Sequence, residues 1–265
     1  MSEPVLKPSA DNGWKLVWSD EFDKDGLPDS SKWSYEVGFV RNKEEQYYTK
    51  ARLENARVER GMLVIEGRKE EFPNPGFKAG SDKWSENREF AGYTAASITT
   101  RKKFDVRYGR IEVRAKLPHG SGVWPAIWML GTNITEIGWP RCGEIDIMEY
   151  VGFEPDSVHA TVHYSNDGKH AQKGTKIITE RPYDDFHVHA VEWDSMKMDF
   201  YFDGNLYHTF KLDDAAENGY NPFRDPHYLL INLALGGSWG GRIDDSIFPQ
   251  EFLVDYVRVY QKSPA

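Results

Sequence analysis

The feature that most constrains this chain of 265 residues is an alternation of apolar and polar side chains with a period of two. It is clearest in 110–117 (RIEVRAKL), 158–164 (VHATVHY) and 196–202 (MKMDFYF). Successive side chains of a β-strand point to opposite faces, so each segment is typical of a strand with one buried face. No segment shows a convincing amphipathic helical pattern. The periodicity therefore predicts an all-β protein.

Further apolar segments extend the strand prediction over the whole chain, and Asp203-Gly204 predicts a hairpin turn between two of the strands. The further strand candidates are Lys15–Trp18, Met62–Arg68, Ala95–Thr100, Trp124–Leu130, Glu144–Val151, His189–Trp193, Leu206–Phe210, Tyr228–Leu235 and Leu253–Tyr260. Roughly a dozen short strands separated by Gly, Pro and Asp turns indicate an antiparallel sandwich or a jelly roll. Glu71–Arg88 is the longest irregular segment and is expected to form a surface loop. No linker divides the chain, so residues 1–265 are expected to form a single domain.

Composition excludes several functional classes. The chain has 33 basic and 42 acidic residues and a net charge of −9, so it lacks the basic face of a nucleic-acid-binding protein. No apolar run approaches the roughly 18 residues of a membrane span, and we expect no membrane partner. The single cysteine, Cys142, excludes an internal disulfide and any cysteine-based metal site. The first ten residues lack the apolar region of a signal peptide, so none is expected in this sequence.

The segment Gly143–Tyr150 (GEIDIMEY) carries three carboxyl groups at a spacing that suits catalysis. In a regular strand Glu144 and Asp146 share a face, whereas Glu149 points to the other face. One extra residue, a β-bulge near Ile147 or Met148, would bring all three onto one side. Bulges of this kind are frequent next to active sites.

Three interpretations of these acids remain open from spacing alone. They could form a solvated face, or they could bind a hard cation such as Ca²⁺ or Mg²⁺. In the third interpretation, two glutamates act as the pair of a retaining glycosidase, one as nucleophile and the other as acid and base. Asp146 would then hold the two apart, and like charges this close would keep one glutamate protonated near neutral pH.

Aromatic residues make up 14% of the chain, which indicates either a large β core or flat apolar platforms for a ligand. Trp124 and Trp128 share a strand face with the small Ala126 between them, and core packing is the usual fate of such residues. Trp239 lies between paired glycines in Gly236–Gly241 (GGSWGG), which predicts an exposed loop position. An indole there is suited to stacking against the C–H face of a sugar.

Taken together, these motifs resemble glycoside hydrolase family 16. The resemblance rests on GEIDIMEY, the preceding YGRIEVRAKLPHGSGVWPAIWMLG, the following VHATVHY and GGSWGG, and on WKLVWSDEFD, NKEEQYYT and VDYVRVYQ, so it covers nearly the whole chain. It implies an antiparallel β-jelly-roll sandwich with a concave glycan-binding cleft, as one catalytic domain. The E-x-D-x-x-E form is similar to that of laminarinases, the endo-β-1,3-glucanases. The shorter E-x-D-x-E form is that of lichenases and xyloglucan-active relatives.

The resemblance also implies roles for individual residues. It makes Glu144 the nucleophile, Asp146 the assisting aspartate and Glu149 the acid/base. The positions that match cleft-lining and substrate-binding residues are Trp124, Trp128, His163, Trp239 and Asn42. His163 is expected near Glu149, although His159 shares its strand face and either could point at the substrate. A structural calcium ion is implied at Glu21, Gly61 and Asp255, and no cofactor is implied for catalysis.

Two departures from the family pattern fall near the expected cleft. The chain reads NKEEQ at 42–46, where relatives often read NNELQ, and this affects the predicted sugar contact of Asn42. Many relatives have an arginine where this chain has Ser97.

These observations predict an endo-acting retaining hydrolase of β-1,3-glucosidic bonds in laminarin-type glucans, with mixed-linkage β-1,3-1,4-glucans as a further substrate. The alternatives are a hydrolase of another polysaccharide (lichenan, agar or carrageenan type), a transglycosylase, or a non-catalytic, lectin-like glucan-binding protein. The only expected partner is the β-glucan polysaccharide or oligosaccharide, bound by a monomer. Polysaccharides are too large to import freely, so a secreted or periplasmic location is expected.

Overall fold

The computed structural model describes residues 13–262. The prediction about a signal peptide rests on the first ten residues and lies outside this range. The strands are β1 (Trp14–Asp20), β2 (Ser34–Tyr35), β3 (Gln46–Tyr48), β4 (Ala56–Glu59), β5 (Met62–Pro73), β6 (Phe90–Ala95), β7 (Ser97–Thr99), β8 (Gly109–Lys116), β9 (Val123–Gly131), β10 (Glu144–Glu149), β11 (Ser157–Asn166), β12 (Lys169–Ile178), β13 (His187–Trp193), β14 (Lys197–Phe202), β15 (Asn205–Lys211), β16 (His227–Leu235) and β17 (Gln250–Lys262).

Helical structure within residues 13–262 is limited to single turns. Two are α-helical, α1 (Ile134–Ile137) and α2 (Gly237–Gly240), and three are 3₁₀ turns at Leu212–Ala215, Pro222–Arg224 and Asp245–Ile247. The all-β prediction is therefore confirmed. In the described part of the chain, no helix has the length and apolar character needed to cross a bilayer.

The strands form two sheets. The larger sheet has the order β15-β14-β13-β8-β17-β5-β6-β3, with β1 beside β17 and β4 beside β5. The smaller sheet has the order β12-β11-β10-β9-β16-β7-β2. Neighbouring strands are antiparallel, apart from the parallel pair β3 and β6. Many sheet neighbours are distant in sequence, as in the jelly-roll arrangement that the family resemblance implies.

The main apolar core includes side chains from both sheets. Ile111 of β8 and Val257 of β17 belong to the same buried cluster as Ile127 and Met129 of β9. The alternate residues of β9 project from the opposite face of the smaller sheet, as period-two alternation requires. These outward residues are Trp124, Ala126, Trp128 and Leu130. The outer face of the smaller sheet is thus free to form a cleft.

The predicted turn at Asp203-Gly204 is confirmed, and two other predictions need correction. Both turn residues have positive φ, 47° and 78°, which suits the twist of the hairpin between β14 and β15. The segment 71–88 is not entirely a loop, because β5 continues to Pro73 and the irregular part spans 74–89. The segment around Trp239 is not an open loop, because Gly237–Gly240 winds into a single helical turn.

Candidate active site

A β-bulge in β10 determines the arrangement of the site. Asp146 is opposite Trp128 of β9, and the next pair is Met148 with Ile127. Two residues of β10 are therefore used where β9 uses one, so Ile147 is the extra residue that the sequence predicted. Both Ile147 and Met148 are fully buried in the main core.

The bulge brings the three carboxyl groups to the outer face of the smaller sheet. Glu144, Asp146 and Glu149 all line one cavity of about 420 Å³, whose floor is the outer face of β9 and β16. Glu144 and Glu149 also line a second cavity of about 580 Å³ on the side of β11 and β12. The acids therefore lie at the junction of two halves of one cleft. We call them the β9/β16 half and the β11/β12 half.

Each glutamate accepts a hydrogen bond from an indole. Trp124 Nε1 donates to Glu149 Oε1 at 3.0 Å, and Trp139 Nε1 donates to Glu144 Oε2 at 2.7 Å. An indole N–H can only donate, so each bond holds one carboxyl oxygen in a fixed position. The two glutamates are thus oriented separately, by groups from different parts of the chain.

His163 is paired in register with Glu144 and not with Glu149, the acid that it was expected to lie near. In the antiparallel register with β11, His163 is opposite Glu144, and it is His159 that is opposite Glu149. Antiparallel pairing matches the start of one strand with the end of the other. His163 Nε2 lies 3.1 Å from Asp146 Oδ2 and 4.0 Å from Glu144 Oε1, so this histidine belongs with the first two acids.

Trp139 is a site residue that the sequence analysis missed. It is 48% exposed, just before β10, and its ring lies 4.7 Å from that of His170 on β12. His170 Nε2 is in turn 2.8 Å from His163 Nδ1. The only available signal was the position of a Trp-Pro pair close before the acidic motif, and nothing in that spacing specifies which way the indole turns.

Burial raises the pKa of all three carboxyl groups. For Glu144 the pKa rises to about 8, through burial and the neighbouring Asp146, against the opposing effects of His163, the Trp139 N–H and Arg41. Burial also raises the pKa of Asp146 to about 8. The pKa of Glu149 is raised well above its ordinary value by burial and by the Asp146 charge. Burial and the neighbouring carboxyl groups thus favour retained protons within the group of three acids near neutral pH.

The β9/β16 half of the cleft differs from a simple aromatic wall. Trp128 lines it as predicted, but the guanidinium carbon of Arg41 lies 4.8 Å from the centre of the indole ring. The indole N–H of Trp128 donates to Asn232 Oδ1 at 2.7 Å. Trp128 as a whole is only 6% exposed, so it offers little open surface to a sugar.

The predicted Asn42 and Trp239 also lie in the cleft. Asn42 lines both halves and donates from Nδ2 to Glu44 Oε1 at 3.2 Å. Trp239 lines the β11/β12 half, with its ring 5.5 Å from that of Trp124 and 5.0 Å from that of His159. Their positions agree with a role in substrate binding, which stays a prediction.

Two of the three predicted calcium ligands, Glu21 and Asp255, are already engaged by arginines. Arg258 donates to both carboxyl oxygens of Glu21, at 2.7 and 3.0 Å, and Arg114 donates to Asp255 Oδ2 at 2.7 Å. Gly61 occupies the turn between β4 and β5. As they stand, these carboxylates do not fit a divalent cation, which would have to displace guanidinium groups. The calcium site stays a prediction.

The cation alternative left open for the acidic strand has a geometric basis. Ligand atoms of Glu144, Asp146 and His163 lie within 4.8 Å of one another. The site also suits acid/base chemistry. Glu144 is held in a fixed orientation, and Glu149, whose protonated form is favoured by burial, lies in the same cleft. That combination can attack an acetal carbon and protonate its leaving oxygen.

Comparison with known proteins shows what the chain is similar to. The sequence model for "Glycosyl hydrolases family 16" matches residues 43–257. A beta-glucanase of Rhodothermus marinus is 46% identical over 260 residues, which cover 94% of this chain and 85% of that protein.

Two solved structures are similar over almost the whole chain. One comes from work on endo-acting O-glycanases that prominent members of the human gut microbiota express to initiate mucin breakdown. It has a TM-score of 0.90 and 40% identity and covers 98% of this chain and 94% of its own. The laminarinase from Rhodothermus marinus has a TM-score of 0.82 and 44% identity, covering 95% of this chain and 98% of its own.

The raised pKa of Glu149 makes a prediction about stability. A carboxyl whose pKa is higher in the folded state stabilises the fold fully only below its unfolded pKa, and that contribution is lost as pH rises. The loss amounts to about 1.4 kcal/mol for each pH unit. We expect Glu149→Gln, which still accepts from Trp124, to raise Tm, and to raise it more at pH 8 than at pH 5.

The measurement is thermal unfolding of wild type and variant across this pH range. Glu89→Gln, at an exposed position, controls for removal of a carboxyl from the surface. If the Tm of Glu149→Gln at pH 8 is equal to or lower than that of wild type, the conclusion that burial raises the pKa of Glu149 is contradicted.

Proposed function

Because the chain belongs to family 16 of the glycosyl hydrolases, we propose that it is an endo-acting, retaining hydrolase of β-1,3-glucosidic bonds in laminarin-type glucans. The observation that carries this proposal is the bulged β10, which brings Glu144, Asp146 and Glu149 together in a cleft. The similarity to a beta-glucanase and a laminarinase supports β-glucan as the substrate. Mixed-linkage glucans are a further proposed substrate.

The geometry supports a double displacement. Glu149, held by Trp124 and kept protonated by burial, donates its proton to the oxygen of the leaving sugar. Glu144 is oriented by Trp139 and attacks the anomeric carbon in its ionised form, which His163, the Trp139 N–H and Arg41 favour. A glycosyl ester forms as the glycosidic bond breaks. Glu149 then takes a proton from water, which cleaves the ester and restores both carboxyls. Asp146, which contacts His163, supports the alternation of charge between the two glutamates.

The proposal extends to the setting of the enzyme. We propose that the reaction requires no cofactor and that the enzyme is a monomer with a single catalytic domain. Its polymeric substrate favours a secreted or periplasmic location. A structural calcium ion at Glu21, Gly61 and Asp255 is the remaining part of the proposal, and it requires the arginine pairs there to open.

A second candidate function is supported by one specific observation. The O-glycanase structure has a TM-score of 0.90 to this chain, compared with 0.82 for the laminarinase. The alternative is therefore an endo-hydrolase of mucin-type glycans that uses the same three acids, and the 33% identity to a keratan-sulfate endo-1,4-beta-galactosidase of Sphingobacterium multivorum favours galactose-containing glycans as its substrates. The two candidates differ in the sugar that the cleft accepts and not in the chemistry.

The experiment that tests the function is the product profile on laminarin, lichenan, agarose, κ-carrageenan and mucin O-glycans. We expect wild type to release short oligosaccharides from laminarin. Glu144→Gln should lose at least about a thousandfold in rate, since it lacks a nucleophile, while still binding the glycan. Cleavage of a galactose-containing glycan instead of laminarin would select the second candidate. Binding without cleavage of any of the five would identify a lectin.

The role of Glu149 has its own test. Glu149→Ala should turn over an activated β-glucoside slowly, because its good leaving group needs no acid, and the enzyme should then stall at the glycosyl ester. Azide, which needs no general base, should restore turnover and give the β-azide. Product configuration is measured by proton NMR. An α-azide, or no rescue, would reject the retaining role of Glu149.

Chelation separates a structural cation from a catalytic one. We expect EDTA to leave kcat unchanged well below Tm, because no step uses a metal ion. A drop in Tm that CaCl₂ reverses, and that is absent in Asp255→Asn, would establish the structural calcium ion. Loss of kcat in EDTA would instead support cation binding by Glu144, Asp146 and His163.

A further inference from the structure

Arg41 takes the place of an open aromatic surface in the β9/β16 half of the cleft. Its guanidinium lies over Trp128 at 4.8 Å, within the range of a cation–π contact. Arg41 is partly exposed, whereas Trp128 is buried. Both residues line the same cavity as Glu144. A sugar entering this half therefore meets the guanidinium before it meets the indole.

The guanidinium is held in place by Glu36 of the same segment, and Glu36 is held in turn by Ser97 of β7. Arg41 Nη2 donates to Glu36 Oε1, and Ser97 Oγ donates to Glu36 Oε2 at 2.7 Å. Ser97 is opposite Asn232 of β16, the residue that binds the indole N–H of Trp128. The arginine that pairs with Glu36 in this chain is Arg41, five residues further along the same segment.

The charges around Arg41 indicate what it can recognise. Glu36 pairs with it directly, and Glu44, also in the cavity, adds a second carboxyl near it. The positive charge is thus compensated, which disfavours an anionic substituent such as a sulfate ester. An arginine paired with a glutamate presents N–H donors beside carboxylate acceptors, the combination that matches vicinal hydroxyl groups of a neutral sugar.

We propose that Arg41, together with Glu36, determines which neutral sugar binds next to Glu144 in the β9/β16 half of the cleft, by hydrogen bonding to its hydroxyl groups. The inference rests on the proposed glycan hydrolysis and adds a specificity-determining residue to it. A site that binds hydroxyls discriminates strongly against a sugar that cannot satisfy its polar groups. Discrimination between glucose and galactose at this position therefore depends on Arg41.

The test compares kcat/KM for laminaritetraose and for a tetrasaccharide of N-acetyllactosamine repeats. We expect Arg41→Ala to bring the ratio of the two values at least about tenfold closer to one. The ratio is the informative quantity because Arg41 also acts electrostatically on Glu144. An effect on the nucleophile, or on the folded fraction, changes both substrates alike and cancels in the ratio. Arg41→Lys keeps the charge but not the planar fork, so its ratio should resemble that of the alanine variant.

Arg88 provides a matched control. Its guanidinium lies 4.5 Å from the Phe39 ring and pairs with Glu45 at 2.6 Å, outside the two cavities. Arg88→Ala should leave the ratio unchanged. The inference is overturned, and the proposed function stands, if Arg41→Ala behaves like this control. It is also overturned if wild type prefers a sulfated tetrasaccharide and the Arg41→Ala variant does not. Wild type that cleaves neither tetrasaccharide and no polysaccharide overturns the proposed function, and the inference with it.

Discussion

Three carboxyl groups on one face of β10 are electrostatically expensive, and much of the surrounding structure compensates for that cost. Burial in a medium of low polarity disfavours each charge, and each charge disfavours the others. The pKa values of Glu144, Asp146 and Glu149 are all raised as a result. Two indole N–H groups and His163 offset part of the cost, and the charge of Arg41 adds to their effect on Glu144. The site therefore retains mobile protons, which a catalyst needs and a purely structural ion pair would remove.

The two sheets make this arrangement possible. Ile147 and Met148, consecutive residues at the bulge, are both buried in the main core. Their side chains hold the irregular part of β10 against the core, while the carboxyl groups of the same strand face the cleft. Apolar packing on the core side of β10 thus stabilises the strand and offsets the unfavourable free energy of grouping the acids. This link between core and site explains why the bulge and the carboxyls are best regarded as one unit.

The two halves of the cleft have different chemistry. The β11/β12 half contains Trp239 close to Trp124 and His159, an aromatic surface next to Glu149. The β9/β16 half has the Arg41 guanidinium over Trp128 and two carboxyls near it. Similarity of the overall fold does not report this difference between the two halves of the cleft, because a fold comparison reflects the strands and the difference lies in side chains that line the cleft. A laminarinase and an O-glycanase can therefore both resemble the chain closely while substrate choice depends on a few polar contacts.

Much of the fold could be predicted from the sequence because strand periodicity and turn residues are local signals. The alternation in 110–117 and 158–164 and the Asp203-Gly204 turn all correspond to elements of the structure. The bulge was also predictable, since odd spacing between Glu144 and Glu149 cannot put both on one face of a regular strand. The helical turn around Trp239 was not predictable, because paired glycines permit many backbone conformations.

The sequence by itself thus determined the all-β class, the acidic strand with its extra residue and the family. These follow from spacing along one chain segment. Only the tertiary structure decided that His163 accompanies Glu144 and Asp146, that Trp139 binds Glu144, and that Arg41 covers Trp128. Each of these contacts joins residues from different strands or loops, so it depends on pairing register and on side-chain direction. Neither quantity is encoded in the local pattern of a single segment, and both are fixed when the sheets pack around their common core.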